Sequence, residues 1–483
     1  MARVNPASLR DEFSRLKRHY EHLRNAGQIT PECRTLFQAL FMLFEVLMAV
    51  FLERRTAKTS RNSSLPSSQT PKIDATASQP GTQSKGHPDD NGRASPTRTV
   101  ETVTVIPVTA CTTCGYDLQE TPCQQHERRT RIDILFEKVV HHVDAEIKAC
   151  PHCRSPSKAR FPTELSGPLQ YGTGIKAFTL NLLLAQMVSL QRVQHVVRTL
   201  IESVIAEATL LKWVMQLHQA LAIWEETAIH QLLAQPSLHV DETSLRVDRR
   251  NQWVHVYSAG DLTLKFLHPK RGDEAIRAIH IIPRYGGTII HDCWASYLAY
   301  GQCSHGLCGS HLLRELTFVV ESNNYPWAAN LKRLLKETCA RVAKSDSKHL
   351  SEAEYRKLRK HYRSILTRGA KEMPPIPPRQ DGKRARVAKS DAHNLWERFR
   401  RYEDAVLLFA KCPHVPFTNN RAERDLRMTK VKQKVSGCFR SHAYAQAYCR
   451  ISSYLQTMAY QGYNPLLAIQ MALSGQIYKK AGE

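Results

Sequence analysis

Residues 237–268 read SLHVDETSLRVDRRNQWVHVYSAGDLTLKFLH, and residues 287–292 read GTIIHD. Large apolar residues alternate with polar ones through SLHVD, QWVHVYS and LTLKFL, which is the period of a strand. Val254 and Val256 fall on one face, with Trp253, His255 and Tyr257 on the other. GTIIHD makes a fourth strand, and residues 272–282 before it carry a helical pattern. Asp241 ends the first strand and Asp292 the fourth. If those strands are neighbours, both carboxylates emerge at one edge of the sheet. Glu242 is the weaker candidate, because successive strand residues point to opposite faces. Aspartate also commonly ends strands as a turn or capping residue, and that reading of each Asp stays open.

Working outward, the chain divides by composition and period. Residues 1–57 are helical. Leu9, Phe13, Leu16, Tyr20 and Leu23 form a short heptad seam there, which suits a dimer or an intramolecular hairpin equally. Residues 58–108 are rich in Ser, Thr, Pro, Gly and Gln and read as a flexible linker. Residues 109–160 hold paired cysteines, and residues 161–235 carry helical patterns such as Leu190, Val193, Val197 and Ile201. The strand-rich unit starts at 236 and runs to 322. A charged helical insertion, broken by PPIPP at Pro374–Pro378, occupies 323–410, and a closing helical part covers 411–483.

The balance of 68 Lys+Arg against 44 Asp+Glu leaves a formal charge of +24, which favours a polyanion such as nucleic acid. Thirteen cysteines without a secretory signal point to a reducing cytosol. The apolar run LFQALFMLFEVLMAVFL at 36–52 contains Gln38 and Glu45 and is short for a span of about 20 residues. It reads as a buried or self-associating helix, and no membrane is called for.

Cys111-Thr-Thr-Cys114 and Cys150-Pro-His-Cys153 are two CxxC pairs, each able to put two thiolates on one tetrahedral ion. Four soft sulfurs suit a structural Zn²⁺ with no open position. Cys123 and His126 lie between the pairs and can substitute for a ligand. A second cluster, Cys303, His305, Cys308 and His311 in CSHGLCGSH, reads either as another zinc site or as a turn opening a helix.

The stretch TNNRAERDLRMTK at 418–430 places Glu423 among Arg421, Arg424, Arg427 and Lys430, with Lys432 and Lys434 beyond. Glu423 reads either as an i,i+4 partner of Arg427 on a solvated helix or as an acid kept for a metal ion. In the second reading Arg424, Arg427, Lys430, Lys432 and Lys434 take DNA phosphates. Phosphodiester chemistry asks for such acids, because carboxylates gathered from distant parts of the chain hold the divalent ions it uses.

Three segments together carry a resemblance. HVDETSLRV, IIHDCWASY with LCGSHLLREL, and TNNRAERDLR resemble the DDE transposases of the insertion-sequence sixty-six family, found in bacterial mobile elements. TSRNSSLPSSQ at 59–69, the paired CxxC motif and YLQTMAYQGYNPLLAI at 454–469 resemble other parts of that family, in the expected order. The resemblance implies an α/β catalytic core of ribonuclease-H-like type, a mixed sheet with a helical insertion, beside helical N-terminal regions and a small zinc-binding module. It makes Asp241, Asp292 and Glu423 the catalytic triad, with Mg²⁺ or Mn²⁺ as cofactor. It assigns Cys308 and His311 to a C-x-x-H signature that shapes the site without binding zinc. Ser244 and Leu245 depart from the Gly-Trp that often follows Asp-Glu-Thr in the family.

The implied activity is strand cleavage at element ends and strand transfer into target DNA. The implied partners are the terminal repeats, target DNA, further copies of the chain and small accessory proteins of the same element. The implied location is the cytoplasm, on the bacterial nucleoid. Residues 190–213 resemble a helix-turn-helix-like region, with ESVIAEATLLKW lacking the usual Gly, and read equally as a plain helical bundle. A catalytically inactive DNA-binding regulator derived from a transposase is the competing reading, and a nuclease that only hydrolyses is a third.

Overall fold

The computed structural model describes residues 6–476 except 31–32, 35–36, 38–39, 42–43, 45–101, 133, 135–136, 164, 166, 203 and 377–388. The 59–69 motif, most of the expected linker and most of the apolar run at 36–52 lie outside the described residues. The chain divides into two compact units. One holds the described residues of Met1–Ser84 with Thr227–Lys430, the other those of Lys85–Glu226 with Val431–Glu483.

The second unit contains a small antiparallel hairpin, β1 (Ile147–Ala149) and β2 (Pro156–Lys158). Its helices include Leu190–Ile201, Glu207–Ala220, His442–Tyr460 and Pro465–Leu473. Val193, Val197, Leu210, Leu217, Ile451 and Ile469 are buried among them. Arg450 joins Glu225 at 2.8 Å, and Trp224 meets Tyr454 edge to face at 5.1 Å. Glu202, at φ 51°, stands in the left-handed conformation between the first two of these helices, where glycine was missing from the pattern.

The first unit is built on a five-stranded mixed sheet. Its strands are β3 (Ser237–Val247), β4 (Arg250–Ala259), β5 (Leu262–His268), β6 (Thr288–His291) and β7 (Ser304–Leu307), in the order β5-β4-β3-β6-β7. The β3–β4 turn is Asp248-Arg249, both at positive φ (47° and 58°), the twist that a two-residue hairpin needs. β3, β6 and β7 are parallel neighbours. Val254–Ala259 of β4 are all buried, so this strand is covered on both faces.

Five helices separate β7 from the helix Asn420–Ser436: Gly309–Asn323, Pro326–Lys344, Glu352–Glu372, Asp391–Arg401 and Glu403–Lys411. Ile290 and Leu307 share one core with Leu316, Trp327, Tyr362 and Phe399 of these helices. At Gly369 a Cβ would lie 2.7 Å from the Trp327 ring, so the helix Glu352–Glu372 meets Pro326–Lys344 there without room for a side chain.

Near the N-terminus, the helix Pro6–Asn25 sets Phe13 5.6 Å from Phe41 and Tyr20 5.2 Å from the same ring. Phe13 and Tyr20 of the seam thus meet aromatic rings of the same chain, while Leu16 is exposed. No helix among the described residues is long and apolar enough to cross a membrane.

Candidate active site

Along β3, Leu238, Val240 and Glu242 are buried, while His239 and Asp241 take the alternate positions on the other face. The parallel pairing of β3 with β6 runs Ser237↔Thr288 to His239↔Ile290. Two residues further on, the same register sets Asp292 beside Asp241. Asp241 lies within β3, which runs on to Val247 instead of ending at residue 241 as the sequence pattern suggested, while Asp292 follows the last residue of β6. The two acids stand on one face where the parallel pairing stops. The Asp241 oxygen Oδ1 accepts from the N–H of Glu242 at 2.8 Å, and Asp292 Oδ1 accepts from the N–H of Trp294 at 3.2 Å.

Glu423 reaches the same face from the first turn of the helix Asn420–Ser436. The buried residue before that helix, Asn419, fixes its start. Its side-chain amide donates to the Val240 carbonyl at 2.8 Å, its Oδ1 lies 2.8 Å from His239 Nδ1, and its N–H donates to the Cys308 sulfur at 3.1 Å. Half a turn past Glu423, fully buried Asp425 accepts from Ser258 at 2.6 Å, Thr263 at 2.8 Å and Arg421 at 3.0 Å. These bonds tie the helix to β4 and β5. A Cβ on Gly309 would come within 2.2 Å of the Phe417 ring, so the approach to the helix also requires that glycine.

The Glu423–Arg427 ion pair is not what the helix forms. Glu423 Oε1 instead lies 3.5 Å from His311 Nδ1, with Cys308 Sγ near both; the three ligating atoms are within 4.8 Å of one another. Neither of those two atoms has a hydrogen-bond partner, although both are buried. Burial, with Arg314 nearby, pushes the His311 imidazole down to about 3, so it is neutral and able to accept.

Electrostatically the site is short of positive charge. Burial, then the charges of Glu242 and Asp292, raise the Asp241 carboxyl well above the ordinary range, and Glu423 adds to this. Burial raises Asp292 as well, against the pull of Arg271. Glu242, on the opposite face, is held by Arg271 at 2.6 Å and by the Tyr297 hydroxyl at 2.6 Å. Asp241 and Asp292 are close enough for their charges to oppose each other and are both costly to ionise, which suits a divalent cation. Their oxygens and that of Glu423 are not, however, gathered into one ligating group among the described residues.

The expected phosphate contacts divide. Arg424, Arg427 and Lys434 are exposed on the helix. Lys430 is half-buried, donating to the Ser244 carbonyl at 3.1 Å and its hydroxyl at 3.2 Å. Lys432 corrects the expectation: it is buried, and its ammonium turns 3.5 Å from the Leu183 carbonyl. Two residues along a helix rotate the side chain by about 200°, which carries Lys432 to the inner side.

The cysteines also divide. Cys111 and Cys150 each open a tight turn, with Gly115 N–H donating to the Cys111 carbonyl at 2.9 Å and Arg154 N–H to that of Cys150 at 2.8 Å. Gly115 and Arg154 are both left-handed, at φ 75° and 59°. Backbone bonds from Cys114 and Thr113 lower the Cys111 thiol, and Ser155 lowers that of Cys153. These are suitable soft donors. The two turns are not gathered into one four-sulfur set: among the described residues only Cys308, His311 and Glu423 converge as a metal-ligating group.

CSHGLCGSH is not a four-ligand cluster either. Ser304–Leu307 is the edge strand β7, where His305 faces His291 at 3.1 Å, and the Cys303 thiol donates to the Tyr285 carbonyl at 3.1 Å. The residues missing from the sequence reading are the supports: His239, Asn419, Asp425, Arg271 and Tyr297. Of these only Asn419 carried a local signal, an asparagine just before a helix.

An aspartate within β3, another just past the parallel strand β6, a glutamate in the first turn of the helix Asn420–Ser436 and exposed arginines on that helix form an arrangement suited to metal-assisted chemistry on a phosphodiester. A family model described as Transposase IS66 family matches residues 168–447, more than half the chain, and the chain belongs to that family. Its class of function is therefore transposition, with DNA as the partner. No curated protein matches the chain.

Proposed function

We propose that this transposase cuts DNA at the ends of a mobile element and joins the freed ends to target DNA, with Asp241, Asp292 and Glu423 as metal ligands in a ribonuclease-H-like core. The observation that carries the reading is the β3–β6 register together with Asn419: it sets the two aspartates side by side and pins the glutamate helix against them. Mg²⁺ or Mn²⁺, when bound, supplies an activated attacking oxygen and neutralises charge on the phosphate.

The chain's own contribution is to hold and position. The three carboxylates offer oxygen ligands that draw together on the ion. Arg424 and Arg427 take phosphates of the bound strand and orient it for in-line attack. Neutral His311 keeps Glu423 turned into the site and free of a competing positive charge. Residues 236–322 and 411–483 form the core in this reading, and residues 323–410 are an insertion. The segment 109–160 is a zinc module that closes when Cys111, Cys114, Cys150 and Cys153 share one ion.

The test uses purified protein, the DNA ends flanking its gene, Mg²⁺ or Mn²⁺, and accessory proteins where the wild type needs them. Wild type is expected to cut and join, while Asp241→Asn and Glu423→Gln bind the same DNA and yield no product. Binding without cutting by every variant, wild type included, would put the DNA-binding regulator ahead. Cutting with no joined product would mark a hydrolytic nuclease.

A further inference from the structure

Behind the acids, four side chains close a ring of contacts. Arg271, just before the helix Asp273–Ile279, donates from Nε to Glu242 Oε1 at 2.7 Å, and a terminal nitrogen lies 2.6 Å from the same oxygen. The guanidinium lies over two indoles, 5.0 Å from the Trp253 ring and 4.5 Å from the Trp294 ring. Trp294 meets Tyr297 edge to face at 5.4 Å, and the Tyr297 hydroxyl returns to Glu242 Oε2 at 2.6 Å. Glu242 is the residue after Asp241, and Trp294 is two residues after Asp292. The ring therefore joins the two backbones that carry the first two acids, from the face opposite to theirs.

A second observation lies inside the Asp292 turn. Cys293, between Asp292 and Trp294, sits at φ 71°, where a residue with a side chain is strained. Such strain persists only where the surroundings hold it, and it collects at functional sites. Here the Cys293 N–H donates to His291 Nδ1 at 3.1 Å on one side. On the other, Trp294 is clamped against Arg271 while its own N–H donates to Asp292 Oδ1 at 3.2 Å. That last bond aims the carboxylate.

We propose that Arg271, acting through Trp294, is a positioning residue: the Glu242–Arg271–Trp294–Tyr297 ring sets the separation and aim of the Asp241 and Asp292 carboxylates and with them the site's affinity for a divalent cation. The inference rests on the metal-ligand role proposed above for those two acids. It requires a planar guanidinium, because only that shape stacks on indole while forking onto a carboxylate. Lysine at 271 keeps the charge and loses both contacts.

The experiment titrates full-length protein with Mn²⁺ in the absence of DNA, counting bound ion from the loss of the free-ion electron paramagnetic resonance signal. Thermal unfolding of each variant is followed in parallel. Asp292→Asn is expected to lose the tight Mn²⁺. Arg271→Lys and Trp294→Ala should weaken it by about 10- to 100-fold, the range for residues that orient metal ligands. Trp294→Phe, which keeps a ring over the guanidinium, should bind close to wild type.

Wild-type affinity in folded Arg271→Lys and Trp294→Ala, beside an Asp292→Asn that has lost the ion, overturns the ring's role and leaves the metal site standing. Equal affinity in wild type and Asp292→Asn overturns the metal site and this inference with it. Should Trp294→Ala unfold, the folded pair Arg271→Lys and Trp294→Phe decides: weak and tight supports the ring, and equal affinities sink it.

Discussion

Asp241, Asp292 and Glu423 come from three separate elements, and each is braced by groups buried in the sheet unit. Cys111, Cys114, Cys150 and Cys153 come from two short turns in a segment with little burial, and their sulfurs are not gathered. In the first region the elements that carry the acids are held in place by the protein: Asn419 bonds His239 and Val240 of β3 and the Cys308 sulfur, and Asp425 gathers three donors at zero exposure. In the second, each turn is complete by itself, and the step that remains is bringing the two together. Core packing supplies the organisation in one case. In the other, on the zinc reading proposed above, an ion supplies it, which is how small metal modules generally fold.

The largest expected effect breaks the bracing. Asp425→Ala removes the buried acceptor of Ser258 and Thr263 and takes the carboxylate from the partly buried Arg421, at a cost of about 3 kcal/mol or more. Urea unfolding of the sheet unit reads this. Cys114→Ser should shift that same transition by less than about 0.5 kcal/mol, while it abolishes zinc-dependent protection of 109–160 from proteolysis. Equal effects of the two changes on the sheet unit would erase the contrast.

Acid gives the next effect. Burial holds His255 of β4 down to about 4, below its ordinary 6.5, so the folded chain refuses a proton that the unfolded chain accepts. The stability from neutral His255 is complete above about 6.5 and is lost as pH falls toward 4, reaching about 2 kcal/mol by pH 5. Unfolding of wild type and His255→Gln at pH 7.5 and pH 5 checks it, and a slope unchanged by the substitution would refute it.

The smallest effect separates two positions on one helix. Arg427→Ala should lower the salt dependence of DNA binding by about one counterion, with sequence preference unchanged. Lys432→Ala should leave that slope alone, because its ammonium points to Leu183.

Much of this was legible in the sequence, and for a reason. Period-two alternation is local, so SLHVD, QWVHVYS, LTLKFL and GTIIHD read as strands. Asp292 does follow its strand, but Asp241 does not end its own, because the first strand continues to Val247 through the less apolar ETSLRV, paired with β4. Neighbourhood is not local: nothing in SLHVD states that it pairs with GTIIHD in parallel. SHGL lacks both length and large apolar residues, so β7 passed as a turn inside a cysteine–histidine cluster. The lysine series 430, 432, 434 looked uniform, yet helical rotation turns its middle member inward. Arg271 lay in an unremarkable stretch, PKRGD, and its role exists only once Trp253 and Trp294 stand on either side of it.

The bond between His239 and Asn419 spans 180 residues. At about 5–20 residues added per second on the ribosome, roughly 10–40 s separate the appearance of its two ends. For the greater part of that interval, once Asp292 has been added, the nascent chain has both aspartates and lacks Glu423. In the proposed reading the order of synthesis delays the site: the set of acids is complete only once the helix that follows residue 419 has been made.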